Sequence, residues 1–206
     1  MKLFFHYSLI GFTNGYILGE DNPHNPSAII IDPGNMDRRL LEYIEKNNFN
    51  PITVLITHDH PTHVHGIRTL RKIYQAEIFA INRVILDINT ITVKDEDKIK
   101  LGPFTVEVIS IPGHSADSVV YRIGSFLFTG DVLTAGLVGS TASDYSATTQ
   151  MNKLRSRLLS LPGDYIVFPG HGPPSTLEAE RKYNIGITQF SERMIRKHYS
   201  LKNYTP

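Results

Sequence analysis

The chain has no cysteine, no long apolar run and no charge imbalance, and each of these absences removes classes of protein. Without cysteine among its 206 residues it forms no disulfide, and no thiolate can serve as a metal ligand or nucleophile. Lysine plus arginine (21) nearly equals aspartate plus glutamate (20), so the formal charge of +1 predicts no nucleic-acid or anionic-membrane partner. No stretch reaches the ~18 apolar residues of a membrane-spanning helix. The composition predicts a soluble, cytoplasmic protein.

Length and composition fit one folded unit. Hydrophobic residues make up 41% and charged residues 20%, which is ordinary for a globular protein, and 206 residues suffice for one sizeable core. No repeat, low-complexity tract or composition shift marks a linker, and the N-terminal alternation suits a strand better than a signal peptide. We therefore expect a single domain over residues 1–206. The sequence leaves its oligomeric state open.

Short runs rich in β-branched and aromatic residues predict strands, and amphipathic stretches between them predict helices. The predicted strands cover 2–7, 15–19, 28–31, 52–57, 77–81, 104–111, 118–123, 125–130 and 164–170. The predicted helices lie within 36–48, 66–75 and 148–163, and Ser175 with Glu178 predicts a capping box for a further helix. Gly124 and Ser125 predict a tight hairpin turn. Intermingled strands and helices indicate an α/β or α+β fold, with helices covering the sheet faces.

Histidines are concentrated in one short stretch, THDHPTHVHG at 57–66. His58, His60, His63 and His65 fall within eight positions, where the chain's own frequency would place about a third of one histidine. A lone histidine is usually a partly buried polar residue, but clustered imidazoles repel one another once protonated and gain little from packing. Short histidine-rich tracts are typical of metal binding. The stretch therefore predicts a metal site.

Four predicted strands each deliver a histidine or an aspartate just past the carboxyl end. These residues are His58 after 52–57, His114 after 104–111, Asp131 after 125–130 and His171 after 164–170. That end of the sheet is where layered α/β proteins hold ligands, on loops fixed by a rigid scaffold. His60 stands two positions after His58 in an extended segment and can point the same way. Nitrogen and carboxylate donors suit zinc, iron or manganese better than soft Cu(I).

The order of these motifs resembles the metallo-β-lactamase superfamily. Its signature, H-x-H-x-D-H followed by a distant histidine, aspartate and last histidine, reads here as HDHPTH, PGHS, FTGDVL and PGHGPP at 58–63, 112–115, 128–133 and 169–174. The segments TNGYILG and IIIDPG are also similar to the first strands of that family. The likeness runs from about residue 3 to about residue 185. Several motifs in the right order make it specific, whereas HxH alone would be weak.

Within the superfamily the chain is similar to short bacterial proteins of the glyoxalase II type, through FTGDVL, LPGDYIVFPGHGPP and ERKYN (180–184). The resemblance implies a four-layer αβ/βα sandwich, in which two mixed sheets are flanked by helices and a metal pair lies between their upper rims. It also implies that the chain lacks the C-terminal helical domain with which full-length glyoxalase II holds glutathione.

The resemblance assigns six metal ligands, residue by residue. His58, His60 and His114 would hold the first ion, Asp131 would bridge both ions, and His63 and His171 would hold the second. Zinc is the expected metal, with iron or manganese as alternatives.

One ligand of the family pattern is missing, because Thr62 stands where relatives have an aspartate before the third histidine. In relatives that aspartate binds the second metal and steadies the attacking water. A neutral hydroxyl is a poor ligand, so we expect one ion to be held firmly and the second weakly or not at all. Thr62 also fits the N-cap of the helix that follows, and the two interpretations are compatible.

Other polar residues near the motifs receive smaller roles. His65 replaces a glycine usual in relatives and is either a substitute ligand or a substrate contact, although a place on the first helical turn directs it elsewhere. Asp59 is interpreted as a variable loop residue. The loop after Asp131 borders the site in relatives, and its candidates for substrate contact are Ser140, Asp144 and Tyr145. The histidines outside every motif are predicted to be structural or at the surface: His6, His24 and His198.

The leading functional prediction is a metal-dependent hydrolase that acts on a small-molecule thioester or similar acyl substrate. A bound metal lowers the pKa of its water from ~15.7 towards ~7, so hydroxide forms at neutral pH, and the ion also stabilises the oxyanion. No serine or cysteine nucleophile is needed, and no catalytic side chain is assigned. One alternative is an oxidoreductase similar to persulfide dioxygenases, with one iron in the first site. The other is a metal-binding protein that has lost turnover.

Overall fold

The computed structural model describes residues 1–21, 24, 26–50 and 52–189. In chain order its strands are β1 (Lys2–Tyr7), β2 (Asn14–Gly19), β3 (Ala28–Ile31), β4 (Ile52–Leu55), β5 (Glu77–Ala80), β6 (Val84–Ile85), β7 (Ile88–Asn89), β8 (Ile91–Thr92), β9 (Lys98–Leu101), β10 (Phe104–Ser110), β11 (Val119–Ile123), β12 (Phe126–Gly130), β13 (Leu133–Thr134), β14 (Leu137–Val138), β15 (Ile166–Pro169) and β16 (Ser175–Thr176). Its helices are α1 (Arg38–Lys46), α2 (Pro61–Val64), α3 (Ile67–Tyr74), α4 (Asp144–Lys153) and α5 (Leu177–Tyr183), and a π-helical turn, Leu154–Leu158, continues α4.

Two six-stranded sheets form the centre of the fold, and both are mixed. The first has the order β1-β2-β3-β4-β5-β8. Neighbours from β3 to β8 are parallel, whereas β2 is antiparallel to both β1 and β3. The second has the order β16-β15-β12-β11-β10-β9, in which β12 and β15 form the parallel pair. Parallel neighbours bring their carboxyl ends to the same edge of a sheet.

Three apolar clusters separate the layers. The first packs α1 and α3 on the outer face of the first sheet, with Leu40, Leu70 and Ile30 among its members. The second fills the space between the sheets, and the third packs α4, its π-helical turn and α5 on the outer face of the second sheet. Successive β3 residues alternate between the first two clusters, as side chains on a strand must. The four-layer sandwich and the α/β fold class are therefore confirmed.

Most predicted elements are present, with shifted ends. The strand predicted to end at residue 57 ends at Leu55, and the helix predicted within 148–163 starts earlier, at Asp144. The hairpin turn is confirmed, because Ile123 pairs with Phe126 around Gly124, whose φ of +59° favours glycine. The short strands β6 to β9, β13, β14 and β16 have no counterpart in the sequence prediction. In the described part of the chain, no helix is long and apolar enough to cross a bilayer.

Two capping predictions are wrong. The Thr176 side chain, and not that of Ser175, accepts the capping hydrogen bond of α5, from Ala179 N at 3.2 Å, because the helix begins at Leu177 and Thr176 directly precedes it. Thr62 is not an N-cap either. The α2 helix begins at Pro61, whose fixed φ suits the first helical position, so the N-cap is His60 and Thr62 lies inside the helix.

Candidate metal centre

The residues predicted from strand ends lie together at one end of the sandwich. His58 follows β4 of the first sheet, while the loops after β10, β12 and β15 of the second sheet carry His114, Asp131 and His171. His60 and His63 reach the same place at the N-terminus of α2 and within it. Two groups result, and in each the donor atoms lie within 4.8 Å of one another. We call His58, His60 and His114 the first half, and His63 and His171 the second half; Asp131 belongs to both.

Hydrogen bonds decide which ring nitrogen is free in the first half. Thr57 Oγ1 donates to Asp32 Oδ2 (2.6 Å), so it accepts from His58 Nδ1 (3.1 Å). His114 Nδ1 donates to the Ser140 carbonyl (2.9 Å). Because each neutral imidazole has one donor and one acceptor, the Nε2 atoms of His58 and His114 carry lone pairs.

These lone pairs converge on the third histidine. His60 Nδ1 lies 2.9 Å from His58 Nε2 and 3.1 Å from His114 Nε2. One proton on His60 Nδ1 satisfies at most one of the two, which leaves nitrogen lone pairs facing each other. Asp131 Oδ2 lies 3.8 and 3.7 Å from the same two Nε2 atoms. Three nitrogens and one carboxylate oxygen are a common zinc donor set, and a cation among them would remove the repulsion. The residues therefore fit a metal ion.

The second half approaches Asp131 from the other side. His63 is fully buried, and its Nδ1 donates to Asp32 Oδ2 (2.9 Å). Its Nε2 lies 3.4 Å from Asp131 Oδ2 and has no hydrogen-bond partner. His171 Nδ1 lies 2.7 Å from Asp131 Oδ1, and its Nε2 donates to the Gly11 carbonyl (3.0 Å). The orphaned nitrogen of His63 fits a metal as well, but this group offers one donor fewer than the first.

The pKa values of His58 and His60 are shifted in the opposite direction from those of His63 and His171. Burial, reinforced by His63, lowers the pKa of His58 to about 2, and burial with His114 lowers the pKa of His60. Burial also acts to lower the pKa of His63, but Asp32 and Asp131 outweigh it and raise that pKa to about 9. The hydrogen bond to Asp131 raises the pKa of His171. Without a metal, His58 and His60 thus take up a proton less readily than His63 and His171.

Thr62 and His65 lie beside the second half without joining it. Thr62 is half-buried and packs on Gly11, where an added Cβ would overlap the Thr62 methyl group. Neither residue belongs to either group of donors found among the described residues, and His65 is exposed at the end of α2. The structure therefore does not bring His65 to the centre as a substitute ligand.

Asp32 is the functional residue that the sequence reasoning missed. It is buried just after β3, and its carboxylate accepts from Thr57 N (2.8 Å), Thr57 Oγ1 (2.6 Å) and His63 Nδ1 (2.9 Å). Through Thr57 it orients His58, so one carboxylate steadies a ring in each half, as outer partners of metal sites commonly do. A signal was present, because Asp32 follows the run AIII as the other site residues follow their strands.

Where the structure describes them, the other polar residues singled out in the sequence lie outside both groups of donors. Asp59 lies outside both donor groups, and its backbone N–H donates to Asp117 Oδ2 (2.8 Å). Ser140 takes part through its carbonyl, whereas Asp144 and Tyr145 are exposed in the first turn of α4. His6 is buried near the Asn35 carbonyl (3.1 Å), which agrees with a structural role, and His24 is exposed. His198 lies outside the described residues.

Comparison with known proteins identifies the family. The family model described as the metallo-beta-lactamase superfamily matches residues 10–85 and 79–171, and the chain belongs to this superfamily. It is 31% identical over 163 residues to a hydroxyacylglutathione hydrolase of Chromohalobacter salexigens, a match that covers 78% of this chain and 63% of that protein. It thus spans less than two thirds of that enzyme. It is also 26% identical to the probable metallo-hydrolase YqgX of Bacillus subtilis, over 86% of this chain and 93% of that protein.

Solved structures agree with the family assignment. ETHE1 from Myxococcus xanthus superposes with a TM-score of 0.82 at 25% identity, over 92% of this chain and 85% of that chain. The B3 metallo-beta-lactamase BLEG-1 superposes with a TM-score of 0.78 at 27% identity, over 91% of this chain and 100% of that chain. The fold is therefore shared along most of the chain with proteins of this superfamily.

Proposed function

We propose that the chain is a metal-dependent hydrolase that cleaves a thioester or a similar small acyl substrate. The observation that carries the proposal is the convergence of His58 Nε2, His60 Nδ1 and His114 Nε2 beside the carboxylate of Asp131. A protein gains nothing from facing lone pairs unless a cation separates them. The similarity to a hydroxyacylglutathione hydrolase supports a thioester as the substrate class.

A metal held by the first half and Asp131 would supply a Lewis acid for the substrate carbonyl and an ionisable water at neutral pH. The chain's own residues supply orientation. Thr57 and the Ser140 carbonyl fix the rings of His58 and His114, so that both Nε2 lone pairs stay directed at the centre. Asp32 and the β3–β4 pairing hold Thr57 in turn. Such fixed donors need no rearrangement before substrate arrives.

We propose zinc as the metal, with iron or manganese as alternatives, held firmly in the first half. The second half is proposed to bind a further ion weakly or not at all, because Thr62 brings no negative charge to it. Elemental analysis of protein purified without added metal tests this proposal. About one zinc per chain is expected, and a metal-free protein that takes up no zinc would contradict it.

The activity test uses S-lactoylglutathione and a simpler thioester. We expect cleavage that chelator abolishes and added metal restores, with a rate that rises as the water ionises. No cleavage of either thioester with zinc, iron or manganese would refute the hydrolase proposal and favour the metal-binding protein that has lost turnover.

A second candidate is a one-iron dioxygenase acting on persulfides. The observation that favours it is the unequal donor supply, since four residues can hold an ion on the side of the first half and only three on the side of the second. One iron per chain and oxygen uptake with glutathione persulfide, without thioester cleavage, would establish this candidate over the first.

A further inference from the structure

Two buried polar residues of α5 and its C-cap have no role in the centre described so far. They lie in the segment ERKYN (180–184), where Glu180 is 2% exposed and Asn184 is 0% exposed. A buried carboxylate and a buried amide are costly unless hydrogen bonds replace the lost water. Their partners therefore indicate what they do.

Both side chains bind the turn between β13 and β14. Both carboxylate oxygens of Glu180 accept from Gly136 N (3.2 and 3.1 Å). Asn184 Nδ2 donates to the Leu137 carbonyl (2.9 Å) and to Glu180 Oε2 (2.5 Å). The backbone N–H of Ile185 donates to the Gly136 carbonyl (2.9 Å). Gly136 has a φ of +79°, so this left-handed turn is held from outside at its N–H and at two carbonyls.

The same segment reaches the metal centre a few residues later. The Gly139 carbonyl accepts from Gln150 Nε2 (2.9 Å), and an added Cβ on Gly139 would overlap the Asp131 carbonyl oxygen. Ser140 follows, and its carbonyl accepts from His114 Nδ1 (2.9 Å). Residues 136–140 thus connect α5 to His114 through a short backbone path, along which β14 pairs with β13 and Gly139 N donates to the Val132 carbonyl (3.3 Å).

We propose that Glu180 and Asn184 are positioning residues of the metal centre. By fixing the turn at Gly136 and Leu137, they hold the Ser140 carbonyl where it keeps the proton of His114 on Nδ1 and leaves Nε2 free to bind metal. The inference rests on the metal role proposed for His114 and not on the reaction catalysed. Loss of an outer partner typically costs ~10–100-fold in metal affinity. Because two further residues intervene here, we expect the lower end of that range.

The test measures cobalt and zinc affinity in the full chain by chelator competition, well below the melting temperature. Glu180→Gln keeps the size of the side chain but turns an amide N–H₂ towards the donors that the carboxylate accepts. We expect about tenfold weaker binding of the first ion and a changed visible spectrum of bound cobalt. The matched control is Glu178→Gln in the same helix, where the side chain is exposed, and it should bind like wild type.

A double-mutant cycle separates positioning from general destabilisation. In the His114→Ala background, Glu180→Gln should leave the residual cobalt affinity unchanged, since no ring at 114 remains to be oriented. An equal loss in both backgrounds, or wild-type affinity and spectrum in Glu180→Gln, would overturn the proposal. If Glu180→Gln does not fold, Asn184→Ala, which removes the hydrogen bond to the Leu137 carbonyl, should weaken binding in the same way; unchanged affinity there would also overturn the proposal. All these readouts are independent of turnover.

Discussion

The two halves of the metal centre share Asp131 and Asp32 but differ in where their imidazole protons are directed. In the first half, His58 and His114 direct their Nδ1 protons outward to neutral oxygens, Thr57 Oγ1 and the Ser140 carbonyl. In the second half, His63 Nδ1 donates to the Asp32 carboxylate and His171 Nδ1 lies against Asp131, and these carboxylates raise the pKa of both rings. The first half is therefore prepared for a cation by converging nitrogen lone pairs, whereas in the second half a cation must compete with protons on His63 and His171.

The largest effect is expected from His114→Ala, which removes one nitrogen of the first half. It should abolish most metal binding at micromolar concentration and lower the melting temperature of the metal-loaded protein, because metal stabilises the folded state that binds it. The measurement is metal per chain by mass spectrometry, with thermal unfolding in parallel. His65→Ala is the matched control, as its side chain is exposed outside both groups. Full metal content in His114→Ala would break the assignment of the first half.

A change of pH should alter the metal affinity of the second half more than that of the first. The pKa of His63, raised to about 9, means that a metal at its Nε2 competes with a proton at pH 7, and this competition ends as the pH rises through about 9. Second-half affinity is expected to rise on the order of 100-fold from pH 7 to pH 9. The low pKa of His58, about 2, leaves no such competition at that ring. Calorimetric titration of the apo protein at both pH values measures the two affinities; parallel changes would contradict the comparison.

The raised pKa of His63 also predicts how the stability of the metal-free protein depends on pH. A histidine whose pKa rises on folding contributes stability that is complete below the unfolded pKa of about 6.5 and is lost as the pH rises through the folded value of about 9. Stability of the apo protein, measured by urea unfolding, should therefore fall between these pH values. His63→Gln should flatten that part of the profile, and an unchanged slope would mean that another group causes it.

Thr62→Asp should make the metal affinities of the two halves more similar. It restores an anionic donor, so a second ion should bind at least ~10–100-fold more tightly, by analogy with the loss of a metal-site partner. An aspartate in the first turn of α2 also suits the helix dipole, so the fold should tolerate it. Thr62→Val is the control of matched shape and should leave metal content unchanged. Two tightly bound ions in wild type, or only one in Thr62→Asp, would show that Thr62 does not set the metal number.

The smallest effect is expected from Asp32→Asn, and it should fall on both halves. The amide loses the negative charge that orients His63 directly and His58 through Thr57, so affinity should drop by about tenfold for each ion bound. The measurement is chelator competition with zinc. A loss restricted to one half would show that only one of the two hydrogen-bonded routes from Asp32 matters.

Four of the six candidate ligands were predictable because each lies just past a hydrophobic run, and such strand ends meet at a sheet edge whatever the details of the loops. His60 and His63 were predictable because they follow His58 in the same histidine-rich stretch. Asp32 was missed because its role depends on the parallel pairing of β3 with β4, where Ile31 is opposite Leu55 and the chain then reaches Thr57. The contact of Thr62 with Gly11 joins segments about fifty residues apart, and no local pattern encodes it. In the sequence, Glu180 was noted only as part of ERKYN, a segment similar to the family. Only the tertiary structure shows that it binds the turn at Gly136.

The centre takes its residues from both sheets. His58, His60 and His63 belong to the first sheet and its helix, while the loops of the second sheet supply His114, Asp131 and His171. A metal held among them would thus add a cross-link between layers that pack through apolar side chains and a few hydrogen bonds, such as the one from Tyr16 Oη to the Pro169 carbonyl (2.7 Å). Non-directional apolar packing allows small sliding motions, whereas coordination bonds fix both distance and angle. In this fold the ion would fix the position of one sheet relative to the other.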